Sequence, residues 1–424
     1  MFNDNAAVIR LGSSHLISFF ILCLLQVLLP QYLLADFEKP GVLEAQSVLE
    51  PQFLKGENYT VDGEVQNDGI LNHYSVKSSF GDFKAHDTSS LRTLVGEIKA
   101  IAAMKKIETD DTAIESLKQS GKNTVTGLKN MVSDPQGTFE SAAAGVGSLF
   151  NRAKGTVGKR EVTEAEDNKM AQLLGFSKSK GKIATQFGVN VYSRNEVLQA
   201  ELDRLAWADY LGGLGVGMAT SVVPGVGGVL LTTSGTARLI NEAINTTPAS
   251  ELWLQNKNKL LVMGMNEDTI ELFLNNPVFS PALQTVMVAA LESLKGVDNR
   301  ELYIKVALQA SDSEMARIVT ESVVLTAGYH KNIAPLKHLS PMARLVRAEK
   351  DDGSIVVILP GDHIIWSEKV ADVTRSLVEK GGAKGAGLEA WVTGDFSPMA
   401  HDKMKEMGWN VYANSRSRLL PAKE

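Results

Sequence analysis

Asp362, His363 and Asp395 are the residues whose types and spacing best suit acid–base chemistry. Asp362 and His363 follow the continuous apolar run Ile355–Leu359, and Asp395 follows a second strand-like run, Leu388–Val392. In parallel sheets, ligands bind beyond the carboxyl ends of the strands. A histidine between two carboxylates at that edge is a candidate general base. All three read equally well as loop residues, Asp395 standing just before a helix start at Ser397-Pro398.

The other histidines outside the N-terminal leader are His73, His86, His330, His338 and His401. None is spaced three or four residues from another histidine or cysteine, so spacing suggests no metal site. Phosphate loops, the G-x-S-x-G elbow and H-E-x-x-H do not occur. Gly212–Gly217 reads GGLGVG, but no strand precedes it, the third glycine is misplaced and no acidic partner follows at the dinucleotide-binding distance. No cofactor is expected. Asn58-Tyr59-Thr60 and Asn245-Thr246-Thr247 match the glycosylation sequon, a pattern common by chance.

Two segments are candidates for membrane or partner contact. From Leu211 to Ala237 no residue is charged, Gly213 and Gly217 have the close-packing G-x-x-x-G spacing, and Pro224 breaks the run near its middle. That pattern suits a helical hairpin better than a single crossing; it can lie in a bilayer or in a soluble core. The second segment is basic and amphipathic, with Phe139, Val146 and Phe150 on its apolar stripe and Arg152, Lys154, Lys159 and Arg160 nearby.

These groups belong to a chain with an export leader. Residues 16–29 are almost wholly apolar, Pro30 breaks the run, and Leu33-Leu34-Ala35 precedes Asp36, the order of a signal peptide. Cleavage after Ala35 is expected; retention as an anchor is the alternative, because Leu33 is a poor −3 residue. The sole cysteine, Cys23, lies in the leader, so the mature chain has no disulfide, no thiolate nucleophile and no cysteine-ligated zinc. Lysine and arginine number 43 against 49 acidic residues, and the net charge of −6 does not suggest nucleic-acid binding.

Element patterns predict an α+β fold, mostly helical, with an N-terminal β-hairpin and a small C-terminal βαβαβ unit. After the leader at 1–35, residues 36–110 read as a hairpin about Asn67-Asp68-Gly69 and an amphipathic helix capped by Ser90. Residues 111–189 read as a basic, Gly/Ala-rich helical segment ending in a mobile Lys/Ser/Gly-rich linker over 158–186. Residues 190–350 read as helical throughout, with starts at Thr247-Pro248, Ser280-Pro281 and Ser340-Pro341. Residues 351–424 read as the α/β unit.

The stretches GLKNMVSDPQGTF, ELDRLAWADYLGG, SGTARLINEAINTTP, LFLNNPVFSPALQT and TAGYHKNIAPLKHLSPMARL resemble uncharacterised exported proteins of Gram-negative bacteria. The resemblance implies a Gram-negative envelope location, periplasmic or membrane-associated; it brings no activity, catalytic residue or cofactor. The expectation is an exported cell-envelope protein, non-enzymatic, associating with a membrane surface or an envelope protein. An enzyme or small-ligand binder using the C-terminal unit is the alternative.

Overall fold

The computed structural model describes residues 37–107, 164–210, 235–342, 345–382 and 387–421. Within them the chain is α+β. The leader, the basic segment with Phe139, Val146 and Phe150, and the Gly-rich run with Gly213, Gly217 and Pro224 lie outside the described residues.

The N-terminal strands β1 (Val42–Glu44), β2 (Lys55–Gly56), β3 (Tyr59–Val61), β4 (Glu64–Asn67), β5 (Asn72–Ser78) and β6 (Gly81–Ala85) form one antiparallel sheet. Alternation sets its inner face: Val65 and Asn67 on β4, and Asn72, Tyr74 and Val76 on β5, are buried between exposed neighbours. Helix α1 (Thr88–Lys105) covers that face with Leu91, Leu94, Val95 and Ile98. Leu91 and Ile98 are fully buried, each contributing about 1.5–3 kcal/mol by transfer from water. The helix starts earlier than the Ser90 cap expected from sequence. Asp87 is the N-cap, its carboxylate accepting from the Ser90 N–H at 2.6 Å, and Ser90 sits at the third helical position, completing a capping box.

The second half of α1 enters a different core. Ala100, Ile101 and Met104 meet Ile183, Ala184 and Phe187 of the α2 (Glu164–Gln186) region, and Leu198, Leu202 and Leu205 of α3 (Glu196–Tyr210). Most of the expected linker, 158–186, is therefore helix. Its lysines pair outward, Lys180 with Asp203 and Lys182 with Asp209 at 3.0 Å. Gly181 permits close approach, since a Cβ there would lie 1.9 Å from the Asn245 carbonyl oxygen. Packing at its apolar end overrides a composition that reads as loop.

Helices α4 (Gly235–Thr246), α5 (Ala249–Val262), α6 (Glu267–Leu274), α7 (Pro281–Ser293), α8 (Leu302–Ala307) and α9 (Ser313–Asn332) build the main core around Phe273, Met287, Leu291, Ile304 and Val323. Ser280 caps α7 by accepting from the Leu283 N–H, with Pro281 at the first helical position. At the start of α5, Pro248 itself is the N-cap residue and Thr247 lies outside. Helix does not continue to 350. Strands β7 (His338–Met342) and β8 (Leu345–Glu349) follow α9, so Ser340-Pro341 lies in a strand. Strand β7 is at the sheet edge, where proline is tolerated. Among the described residues no helix is long and apolar enough to cross a membrane.

Strands β9 (Ile355–Leu359), β11 (Leu388–Val392) and β13 (Trp409–Tyr412) are mutually parallel, and β8 and β7 extend the sheet antiparallel beyond β9. Helices α10 (Glu368–Gly382) and α11 (Pro398–Glu406) connect the parallel strands. Between them β10 (His363–Ile364) and β12 (Asp395–Phe396) form a two-stranded parallel ribbon at the strand exits. Alternation gives this sheet two buried faces. Val356, Ile358 and Trp391 join the main core, while Ile355, Val357, Leu388 and Ala390 are buried on the other side. The last described helix, α12 (Arg416–Leu419), packs on α9.

Candidate functional site

The carboxyl ends of β9 and β11 meet because a glycine lets them. Gly394 lies so close to Asp362 that a Cβ would sit 1.9 Å from its carbonyl oxygen. The two exits then exchange main-chain bonds: Gly394 N–H to Gly361 O at 2.7 Å and Asp395 N–H to Asp362 O at 3.0 Å. From β13, Asn414 N–H donates to Gly394 O at 2.5 Å.

This register sets His363 opposite Asp395, with Nδ1 2.5 Å from Oδ1. The imidazole is 18% exposed and the carboxylate 53%. An aspartate on Nδ1 fixes ring orientation and tautomer, which a general base requires. Two of the three sequence candidates are thus brought together.

Asp362 points elsewhere. Its carboxylate accepts the Asn72 N–H at 3.0 Å, and both oxygens accept the Thr88 N–H at 3.1 and 3.2 Å. It therefore ties the strand exits to β5 and to the first turn of α1. Burial, and then the neighbouring Asp87, push its pKa up to about 7, against the lowering effect of the main-chain donors.

The turn between β4 and β5 seats on the same exit. Asp362 N–H and His363 N–H donate to Ile70 O at 2.9 and 3.2 Å, and Ile365 N–H donates to Gly69 O at 3.1 Å. Asn67 Nδ2 donates to His363 O at 3.1 Å and to Asn72 Oδ1 at 2.9 Å. Asp68 Oδ1 holds the turn by accepting Ile70 and Leu71 N–H. Gly69 supplies the positive φ, +102°, that the path needs.

Behind the turn lies a buried charge network. Asp87 pairs with Arg317 of α9; Arg317 also binds Glu314 and Glu321, and Glu321 pairs with Arg416 of α12. Asp87 and Glu321 are 3% and 2% exposed, so neither charge is relieved by water. Beside them the Tyr74 hydroxyl bonds Thr88 Oγ1 at 2.7 Å, and burial followed by Asp362 pushes its pKa up to about 12. Asn67, Asn72, Asp87, Arg317, Glu321 and Arg416 are not among the sequence candidates. Two of them carry a local sign: Asn67 in the Asn67-Asp68-Gly69 hairpin signal, and Asp87 in Asp87-x-x-Ser90, the spacing of a capping box.

A second cluster lies on the main-core face of the sheet. Glu389 accepts from Tyr329 Oη at 2.8 Å, Lys350 Nζ at 2.8 Å and Trp391 Nε1 at 2.9 Å. Burial would raise its pKa, but these donors, Lys350 first, hold it below the usual range. Trp391 stacks on Tyr412 with centroids 4.1 Å apart, and the Arg418 guanidinium lies 4.5 Å from the Trp391 centroid. The cluster is satisfied within itself.

Of the remaining histidines, His73 and His86 meet edge to face with ring centroids 5.5 Å apart. His73 bonds Asp68 at 3.2 Å, His401 bonds Asp402, and His330 accepts the Leu336 N–H through Nδ1 at 2.9 Å. Among the described residues no group of three His, Cys, Asp or Glu is placed to hold a metal ion. Of the sequons, Asn245 is buried; its side chain accepts from Val191 N–H and donates to Val189 O, both at 3.0 Å, so its amide is already engaged. The chain matches no protein-family model, and no curated protein or solved structure matches it.

Proposed function

We propose that the chain is an exported cell-envelope protein that acts by contact, with a membrane surface or an envelope partner, and not by catalysis. The observation that carries this reading is the turn 67–72 seated on the exit of β9. In an open α/β sheet that edge is where a ligand would lie. Here it is filled by the protein's own chain, and Asp362 is committed to main-chain donors. The N-terminal hairpin and the C-terminal βαβαβ unit then act as two halves of one scaffold. Export follows from the leader at 1–35, with the mature chain starting at Asp36. Contact is assigned to the basic stripe of Phe139, Val146 and Phe150 and to the uncharged run containing Gly213, Gly217 and Pro224. Exposed Leu254, Leu261, Val262 and Leu272 on α5 and α6 add apolar surface in the described part.

Liposome flotation of the mature protein tests this. Flotation with anionic lipid only, abolished by Phe150→Glu, assigns the contact to the basic segment. Flotation with neutral lipid as well assigns it to 211–237. A folded protein that stays at the bottom with both lipids has no membrane contact.

The His363–Asp395 pair supports a second reading, an enzyme or small-ligand binder at the strand exits. His363→Gln with Asp395→Asn decides between them. Loss of complementation of a deletion strain, with an unchanged melting temperature, would establish the second reading.

A further inference from the structure

Arg418 stands at the rim of the Glu389 cluster, which is satisfied without it. Among the arginines whose side chains are described, every other one binds a carboxylate or a main-chain carbonyl. Arg418 meets no acceptor among the described residues. Its guanidinium lies instead 4.5 Å from the Trp391 centroid and 5.2 Å from the Tyr412 centroid. The side chain is exposed, but its backbone is fixed: Leu419 beside it is fully buried, and the Leu419 carbonyl accepts from Asn332 Nδ2 at 2.8 Å. A guanidinium held on aromatic rings is pre-organised, and its planar fork matches a carboxylate.

The strand beneath it is an open edge. The five-stranded sheet ends in β7 on one side and β13 on the other. The β7 edge is closed: the Leu339 N–H donates to Asp298 O at 3.0 Å, Asn299 Nδ2 donates to Leu339 O at 2.8 Å, and Pro341 has no N–H. Strand β13 pairs with β11 alone, contains no proline, and leaves Asn410 exposed with Val411 and Tyr412 half-buried. A strand with one neighbour turns alternate N–H and C=O groups outward, ready to pair with another chain. Arg418 covers Tyr412, the last residue of that strand. Helix α11 packs on the same strand and carries Lys403 and Lys405 in its last turn. Lys403 is paired with Glu406, and Glu389 on the neighbouring strand is neutralised by Lys350. On a chain of net charge −6, this edge is set up for an acid.

We propose that the β13 edge docks an acidic, extended segment of an envelope protein, which adds to the sheet as a strand and places a carboxylate on Arg418. The inference rests on the reading that the chain acts by contact, and gives that partner its chemistry. Main-chain bonds along β13 supply affinity and the stacked guanidinium supplies selectivity. Arginine, tryptophan and tyrosine are the residue types that dominate interface energies.

Selection of a displayed library of random decapeptides on the full mature chain tests this. Recovered peptides should be rich in Asp and Glu. On binding they should raise the hydrogen-exchange protection of residues 409–413 and leave an α7 peptide unchanged. Arg418→Gln should weaken them about tenfold or more, as loss of one bond to a charged group implies. Arg418→Lys, which keeps the charge without the fork, should restore only part of the affinity. Ser417→Glu, at an exposed position beside the guanidinium, is an independent variant and should weaken the same peptides. Recovery of no binder, peptides without acidic bias, or unchanged protection of 409–413 overturns the inference. So does affinity that ignores both Arg418→Gln and Ser417→Glu. Liposome flotation is read separately: failure of the selection with flotation intact removes the docking edge and leaves the contact reading standing.

Discussion

Replacing Arg317 with methionine removes the cation that links the N-terminal sheet to the helical core. Methionine keeps most of the aliphatic stem but leaves Asp87 without its partner, and Glu321 with Arg416 alone. Both acids are almost fully buried, so water cannot replace the guanidinium. Breaking a buried pair by removing one member costs about 3–5 kcal/mol, because the other charge stays behind. With about 2.1 cal/mol/K of unfolding entropy per residue, the thermal midpoint of a chain of this size should fall by about 4–6 °C. The deficit should shrink as pH falls towards 4. An orphaned carboxylate has its folded pKa raised, so the variant recovers stability below that value and loses it as pH rises through it. Adding Asp87→Asn should restore part of the loss, since asparagine caps a helix about as well as aspartate and carries no charge. Thermal melts of the four proteins at pH 4.5 and 7.5 measure this. A loss under about 1 kcal/mol, or a double variant as poor as the sum of its parts, would refute the claim that the network is held by Arg317.

Gly394→Ala should cost at least about 1–3 kcal/mol in chemical denaturation, because its Cβ would strike the Asp362 carbonyl and force the strand exits apart. Glu97 is buried against Ser193 Oγ and Asn195 Nδ2, and burial raises its pKa, so its ionised form destabilises the fold as pH rises. Glu97→Gln can accept from Asn195 Nδ2 on its Oε1 and donate from its Nε2 to Ser193 Oγ, and should raise the melting temperature at pH 8 more than at pH 5. Ser280→Ala and Ser397→Ala each remove a helix cap and should each cost about 1 kcal/mol in the same assay.

The apolar runs at 355–359, 388–392 and 409–412 coincide with strands, because β-branched and aromatic residues bounded by glycine and proline leave few alternatives. The inward face of α1 was legible for the same reason: its apolar residues recur with the helical period. Composition misled where tertiary contact decides. The Lys/Ser/Gly pattern before Gln186 reads as linker because nothing local shows Gly181 closing on a carbonyl 64 residues away, at Asn245. Ser340-Pro341 reads as a helix start because a hydroxyl before proline has the same chemistry on an edge strand. At the site, sequence placed His363 and Asp395 on neighbouring strand ends, which a right-handed parallel order requires. It could not show Asp362 turning away, since Asn72 and Thr88 are main-chain donors supplied from a remote part of the chain.

That remoteness bears on the order in which the chain can fold. Asn72 and Thr88 reach Asp362 across 290 and 274 residues, and Asp87 reaches Arg317 across 230. Emerging from its N-terminus, the chain must present most of its length before these groups find partners. Until then the first turn of α1 and the β4–β5 loop are solvated and the early sheet stays provisional. Closure over such spans is entropically costly and slow. A fragment ending before residue 361 would keep the apolar interior of its first module yet lack the keystone that locks it.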